Sequence, residues 1–214
     1  MKLYSYFRSS AAYRVRIALN LKGLGYEYEA VHLLREGGQQ LKPEYRAVNP
    51  DGIVPTLVDG DDALTQSLAI IEYLDETYPE PPLLPRSPSD RAFVRSVALQ
   101  VACEIHPLDN LRVLKYLKHE LKMSDEAKNA WYRHWVVAGF ESLEKRLSGD
   151  ARVGKLTFGD TPTVADLCIV PQVFNAQRFG IDLTAYPTIV RIADYANQLD
   201  AFHRAAPAQQ PDAE

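Results

Sequence analysis

The chain has 214 residues, of which 46% are hydrophobic and 24% charged, which is ordinary globular usage and excludes a disordered or collagen-like chain. Lys plus Arg number 24 and Asp plus Glu 28, a formal net charge of −4, so nothing draws the whole molecule toward nucleic acid or an anionic membrane. That length allows one large domain or two small ones. The two cysteines, Cys103 and Cys168, lie far apart and in no CxxC, so neither a disulfide framework nor a redox motif is expected. Both are expected as buried thiols in a reducing compartment. No apolar h-region precedes Arg8, and no run approaches the roughly 18 apolar residues of a membrane helix, so a cytoplasmic protein is expected.

In chain order, Lys2 to Phe7 reads as a strand, and Ser9-Ser10 offers an N-cap to a helix carrying Val15, Ala18 and Leu19 and closed by Gly23. Tyr26 to Leu33 reads as a second strand, so the chain opens β-α-β with parallel pairing and a right-handed crossover. Glu36 to Pro50 reads as a loop with a short helix. Ile53 to Val58 and Ala63 to Thr65 flank Asp59-Gly60 as a β-hairpin, with Pro55 at a strand start where no ladder donor is needed. Ser67 is expected to cap a helix with Leu68, Ile71, Leu74 and Tyr78 on its apolar face.

Prolines at 79, 81, 82, 85 and 88 exclude a continuous helix and read as a linker. Everything beyond is expected to be helical. Val94, Val97, Ala98, Val101 and Ile105 form one stripe, and Trp131, Val136, Phe140, Leu143 and Leu147 part of another. His106 and Asn110, four apart, are placed on one helix face, with Pro107 bending the helix between them and Arg112 further along it. Thr163 to Asp166 resembles a capping box, Pro171 is expected to kink its helix, and Pro187 suits a first helical turn. The tail from Ala205 has no apolar period and is expected to fray. The expected domains are 1–79, a linker 80–87, and 88–214.

This order of elements resembles the cytosolic glutathione transferases, and specific strings narrow the resemblance to the zeta class. They are Tyr4-Ser-Tyr-Phe-Arg-Ser-Ser10, Tyr13-Arg-Val-Arg-Ile-Ala-Leu19, Gly37-Gly-Gln-Gln40, Asn49-Pro50, Val54-Pro-Thr-Leu57 and Gln66-Ser-Leu-Ala-Ile-Ile-Glu-Tyr-Leu74. The second half adds Asp166-Leu-Cys-Ile-Val-Pro-Gln172, Arg178-Phe179 and Asp182-Leu-Thr-Ala-Tyr-Pro187. The resemblance implies a thioredoxin-like α/β domain followed by an all-α domain, glutathione as cofactor, and a homodimer. It departs at one place: the family's Ser-Ser-Cys-x-Trp is here Ser9-Ser10-Ala11-Ala12-Tyr13.

The chemistry implied is cis–trans isomerisation of a maleyl diacid, maleylacetoacetate or maleylpyruvate. A thiolate adds to the alkene carbon, the resulting single bond rotates, and the thiolate departs. Glutathione brings the thiol, so Ala11 is tolerable. A thiol with a reference pKa of about 8.5 is mostly protonated at neutral pH, and a hydroxyl at a helix N-terminus favours the anion. Ser9, first, and Ser10 are the candidates. Gln66 and Ser67 suit the γ-glutamyl carboxylate at a helix start. Val54, with a cis bond to Pro55, suits the cysteinyl part, and Gln40 the glycine carboxylate. His106 and Asn110 are candidate glutathione contacts. Arg8, Arg112 and Arg178 suit the substrate's carboxylates, which guanidinium forks grip at two points. No metal site is expected. A general transferase acting on electrophiles or α-halo acids would use the same thiolate but an apolar pocket.

Overall fold

The computed structural model describes Met1–Glu214 throughout, in two compact units. The first joins Met1–Leu83 to Asn197–Glu214, and the second is Leu84–Ala196.

In the first unit, β1 (Lys2–Ser5), β2 (Glu27–Ala30), β3 (Thr56–Asp59) and β4 (Asp62–Thr65) form one sheet in the order β2-β1-β3-β4. β1 and β2 run parallel, as the opening pattern requires, while β3 is antiparallel to both β1 and β4. All four strands are four residues long; the first three are shorter than their apolar runs imply, because the flanking residues leave the ladder for turns, while β4 gains Asp62. Leu3 and Leu57, paired across β1 and β3, are fully buried.

The helix α1 (Ser10–Leu21) packs against α3 (Ser67–Thr77) and α9 (Asp200–Ala205). Its residues from Ala12 to Leu19 are all buried, Arg14 and Arg16 included. Gly23 closes it at φ +66°, a conformation a side chain would resist. Between β2 and β3 lie two 3₁₀ turns and α2 (Pro43–Arg46). The Val54-Pro55 bond is cis, as expected, and so is Glu80-Pro81.

Two expectations are corrected here. Ser67 is the first residue of α3 rather than its cap; Gln66 holds that position. The segment Asn197–Glu214, expected with the helical half and frayed past Ala205, instead belongs to the first unit and is ordered. Phe202 and Ala205 are fully buried as α9 packs on α1, too few apolar positions to set a period, and polar tertiary contacts add to them. Asn20 Nδ2 donates to Ala201 O at 2.9 Å, Arg16 Nε donates to Ala205 O at 3.0 Å, and the buried Gln210 amide donates to Arg204 O and Ala206 O. The proline-rich stretch is tied to the same unit. Lys22 Nζ meets Asp75 Oδ1 and Pro81 O, both at 2.6 Å, and Asp75 also accepts from Leu83 N.

The second unit is helical: α4 (Pro88–Leu99), α5 (Leu111–His119), α6 (Asp125–Ser148), α7 (Val164–Arg178) and α8 (Pro187–Asn197, whose last residue falls in the first unit). The expected stripes are buried, Trp131 only partly. After α4 the chain widens into a π-helical turn over Gln100–Ile105, and Pro107, which has no amide to give, stops it. His106 and Asn110 therefore do not share a helix face, and Arg112 belongs to a separate helix. Asp166, fully buried, accepts from Thr163 N and Thr157 N, both at 2.8 Å, completing the capping box. The helix α7 runs unbroken through Pro171. Cys168 is buried as expected, whereas Cys103 is exposed: it falls between Val101 and Ile105, off the buried stripe.

Candidate functional site

The turn from β1 into α1 carries the first three candidates. Ser9 is the N-cap of α1, and its Oγ accepts from Ala12 N at 3.2 Å. That bond uses a lone pair and leaves the hydroxyl proton to be donated elsewhere. Capping the helix and holding an anion are thus compatible tasks for one oxygen. Ser10 is the first residue of the helix and is buried. Arg8 lies over the Phe7 ring, its Cζ 4.6 Å from the centroid, and its Nη2 meets the Glu214 carboxylate at 3.3 Å. Glu214 is also held by Arg35, and His32 Nε2 lies 3.3 Å from it. Arg35 above all, with His32 beside it, holds the Glu214 carboxyl below its ordinary value.

The other candidates of the first unit lie in a connected neighbourhood. Val54 packs in one buried cluster with Tyr6 and Phe7. The segment leading to it is braced by residues the sequence reading left without a role: Ile53 O accepts from Tyr45 Oη at 2.6 Å and Asn49 Nδ2 at 2.9 Å. Asn49 reaches on to Thr56 Oγ1 at 3.0 Å, across the cis Val54-Pro55 bond. Gln40 is buried in the second 3₁₀ turn with its Oε1 unpartnered. Its amide lies over Gly38, where an added Cβ would come within 2.7 Å of it, and the φ of +114° at Gly38 favours glycine there. Gln66 takes φ +66° and ψ 112° at the start of α3, an uncommon conformation for a residue with a side chain. Ser67 Oγ accepts from Arg14 Nη1 at 3.3 Å, and the Nε and Nη2 of this buried guanidinium have no partner. Arg14 was not foreseen.

In the second unit, His106 follows the π turn and Asn110 caps α5, its Oδ1 accepting from Arg112 N at 3.1 Å. Trp131 Nε1 donates to Leu108 O at 2.9 Å and fixes this connection to α6. Arg178 ends α7 with its guanidinium 4.7 Å from the Phe179 ring centroid, and Phe179 stacks on Tyr132 at 3.6 Å. Burial raises the pKa of the Tyr132 hydroxyl, Asp109 adds to that rise, and Arg178 opposes it. The His106–Arg112 connection and the end of α7 therefore meet at Tyr132.

Asp109 is a second unforeseen residue, an acid placed among Ile105, Pro107 and Leu108. It is 8% exposed, and neither carboxylate oxygen has a hydrogen-bond partner. Burial pushes its carboxyl up from 3.8 to about 8. Because the folded value is raised, the folded protein holds a proton that the unfolded chain has lost. Stability from this group is full below about pH 4 and falls, by up to about 1.4 kcal/mol per unit, as pH rises toward 8. Asp109→Asn should therefore raise the melting temperature at pH 7.5 by at least about 2–4 °C, the equivalent of about 1 kcal/mol in a chain of this size. At pH 4 the gain should vanish. An equal change in thermal melts at both pH values would contradict this assignment.

The four-stranded α/β unit with a helical partner, and a serine capping the first helix, define a glutathione transferase. Residues 3–82 match the family model described as the glutathione S-transferase N-terminal domain. The chain is 53% identical over 211 residues to a probable maleylacetoacetate isomerase of Vibrio cholerae, covering 99% of this chain and 97% of that one. It superposes on the holo structure of a maleylpyruvate isomerase, a bacterial zeta-class glutathione transferase, with a TM-score of 0.97, 50% identity and complete coverage of both chains. The maleylacetoacetate isomerase of Methylobacterium extorquens AM1, solved with malonate and GSH bound, gives a TM-score of 0.96 at 46% identity, again with complete coverage of both. The chain belongs to the zeta class of the glutathione transferase family, with the maleylacetoacetate and maleylpyruvate isomerases.

Proposed function

We propose that this chain is a glutathione-dependent cis–trans isomerase of a maleyl diacid, taking maleylacetoacetate or maleylpyruvate to its fumaryl product. The observation that carries this reading is the Arg8–Ser9 turn. It sets a helix-capping hydroxyl with a proton to give beside a guanidinium that already grips a carboxylate. An enzyme for apolar electrophiles has no use for that neighbour.

Glutathione, when bound, supplies the sulfur that adds to the alkene carbon and leaves after rotation. Ser9, with Ser10, donates to that sulfur and lowers its pKa, helped by the positive end of α1. Gln66 and Ser67 take the γ-glutamyl carboxylate at the start of α3. The unpartnered N–H groups of buried Arg14 behind Ser67 support a negative charge there. Val54 and Pro55 serve the cysteinyl part, Gln40 the glycine carboxylate, and His106 and Asn110 further contacts with glutathione. Arg8, Arg112 and Arg178 neutralise the substrate's carboxylates and the charge that spreads through its conjugated keto group when the double bond opens. No protein cysteine takes part, because Ala11 stands in the turn. The working form is a cytoplasmic homodimer, as the family resemblance implies; no helix is long and apolar enough to cross a membrane.

The test is to incubate the purified protein with each maleyl compound, with and without glutathione, and follow the cis-enone absorbance. Glutathione-dependent loss of the band with at least one compound is expected. Conjugation of a halo acid without isomerisation of either maleyl compound would give the role to a general transferase.

A further inference from the structure

The segment Asn197–Glu214 belongs to the unit that carries Ser9, and its polar contacts converge on the turn before that serine. Asp212 Oδ2 accepts from Phe7 N at 3.1 Å, while its Oδ1 accepts from Tyr28 Oη at 2.6 Å. On the other side of the same residue, Phe7 O accepts from Arg16 Nη2 at 3.0 Å. Arg16 is fully buried, and its Nη1 also reaches Ser5 Oγ at 3.1 Å and Tyr6 O at 3.4 Å. Its remaining donor, Nε, goes to Ala205 O, in the same segment as Asp212. Burial pulls the guanidinium below its ordinary value, and Asp212 is a carboxylate among the groups that push back. The Phe7 backbone is thus gripped at both its N–H and its C=O, by a carboxylate and a guanidinium of one electrostatic network. Two residues on, Ser9 N donates back to Tyr6 O at 2.9 Å and closes the turn.

We infer that Asp212 is a positioning residue for the reaction: through Phe7 it fixes the turn that aims Ser9 at the glutathione sulfur and Arg8 at a substrate carboxylate. This rests on the roles proposed above for Ser9 and Arg8. Asp212 touches neither sulfur nor substrate. Its carboxylate receives the Phe7 N–H just beyond β1 and ties that donor to Tyr28 on β2. A hydroxyl that must donate to sulfur is sensitive to small displacements, since a misplacement of about 1 Å can cost roughly a hundredfold in rate.

The experiment reads the thiolate absorbance of bound glutathione near 240 nm against pH, beside kcat and both KM values, for the unmutated protein and for Asp212→Ala, Asp212→Asn and Asp212→Glu. The alanine removes both acceptors. It should raise the thiol pKa by about half a unit to one unit and lower kcat at neutral pH by about tenfold, with a smaller change in the KM for glutathione. The asparagine can still accept from Phe7 N and donate to Tyr28 Oη, so it should restore most of both. The glutamate keeps the charge but moves the acceptors by one methylene, and should resemble the alanine. If the alanine variant does not fold, the contrast between asparagine and glutamate carries the test. Overturning results are a thiol pKa and kcat unchanged in every folded variant, or variants altered only in melting temperature. A thiolate band missing from the unmutated protein would count against the glutathione reading itself. A band that is present and indifferent to Asp212 counts against this inference alone.

Discussion

Ser9→Ala should raise the pKa of bound glutathione by about one to two units and slow isomerisation at neutral pH by roughly ten- to a hundredfold. The magnitude follows from the hydrogen bond removed: one to a charged group is worth roughly 1.5–3 kcal/mol, and one pKa unit is about 1.36 kcal/mol. The lost quantity is thiolate, so activity should return in large part at alkaline pH, where the thiol ionises unaided. Affinity for the maleyl substrate should change little. Because Ser9 Oγ also caps α1 through Ala12 N, the variant should lose roughly 1 kcal/mol of stability as well. Ser9→Gly, which lacks the hydroxyl but costs the cap only a few tenths of a kcal/mol, separates the two effects. A pH–rate profile with unshifted shape, merely scaled down, would contradict the assignment of Ser9 to the sulfur.

Arg8→Ala should act on the other reactant. With its guanidinium gone, one substrate carboxylate loses a charge-assisted partner. The substrate KM should rise and kcat/KM fall by at least about tenfold, at nearly constant glutathione affinity. A change of opposite sign is expected one contact away. Glu214 holds Arg8 by a carboxylate of its own, in the manner proposed for substrate. The exchange of one carboxylate for another means that Glu214→Gln should lower the substrate KM. Because that pair is solvent-exposed, the gain should be a factor of about two to five, smaller at high salt. Separate saturation curves for glutathione and substrate read both variants. An Arg8 variant defective only toward glutathione would reverse the roles.

The parts of this molecule legible in its sequence are those whose causes are local. Ser9-Ser10 ahead of Val15, Ala18 and Leu19 announced α1 and its cap, and Thr163 with Asp166 announced the start of α7, because a cap needs only three or four residues of chain. The parallel β1–β2 pair followed from the β-α-β order. What escaped was tertiary. Asn197–Glu214 docks by Phe202 and Ala205, too few to make a period, and by side chains on backbone carbonyls and amides, which leave no periodic trace. His106 and Asn110 stand four apart, but the spacing means a shared face only in an unbroken helix, and Pro107 breaks it. Cys103 was expected buried on residue type, while the periodicity of its neighbours had already placed it off the stripe. Arg14, Arg16 and Asp109 carried no expectation of burial. Their burial becomes visible only once the apolar faces around them are closed.

The central claim is that the nucleophilic sulfur belongs to glutathione and that the protein, with Ala11 in the turn, supplies only its environment. The measurement that bears on it most directly replaces glutathione with S-methylglutathione, which keeps every carboxylate and amide but has no thiol to ionise. Isomerisation should be absent with the methylated compound alone, and S-methylglutathione should inhibit competitively when glutathione is present. Turnover sustained by S-methylglutathione, or in the absence of any thiol, would place the nucleophile elsewhere and contradict the account.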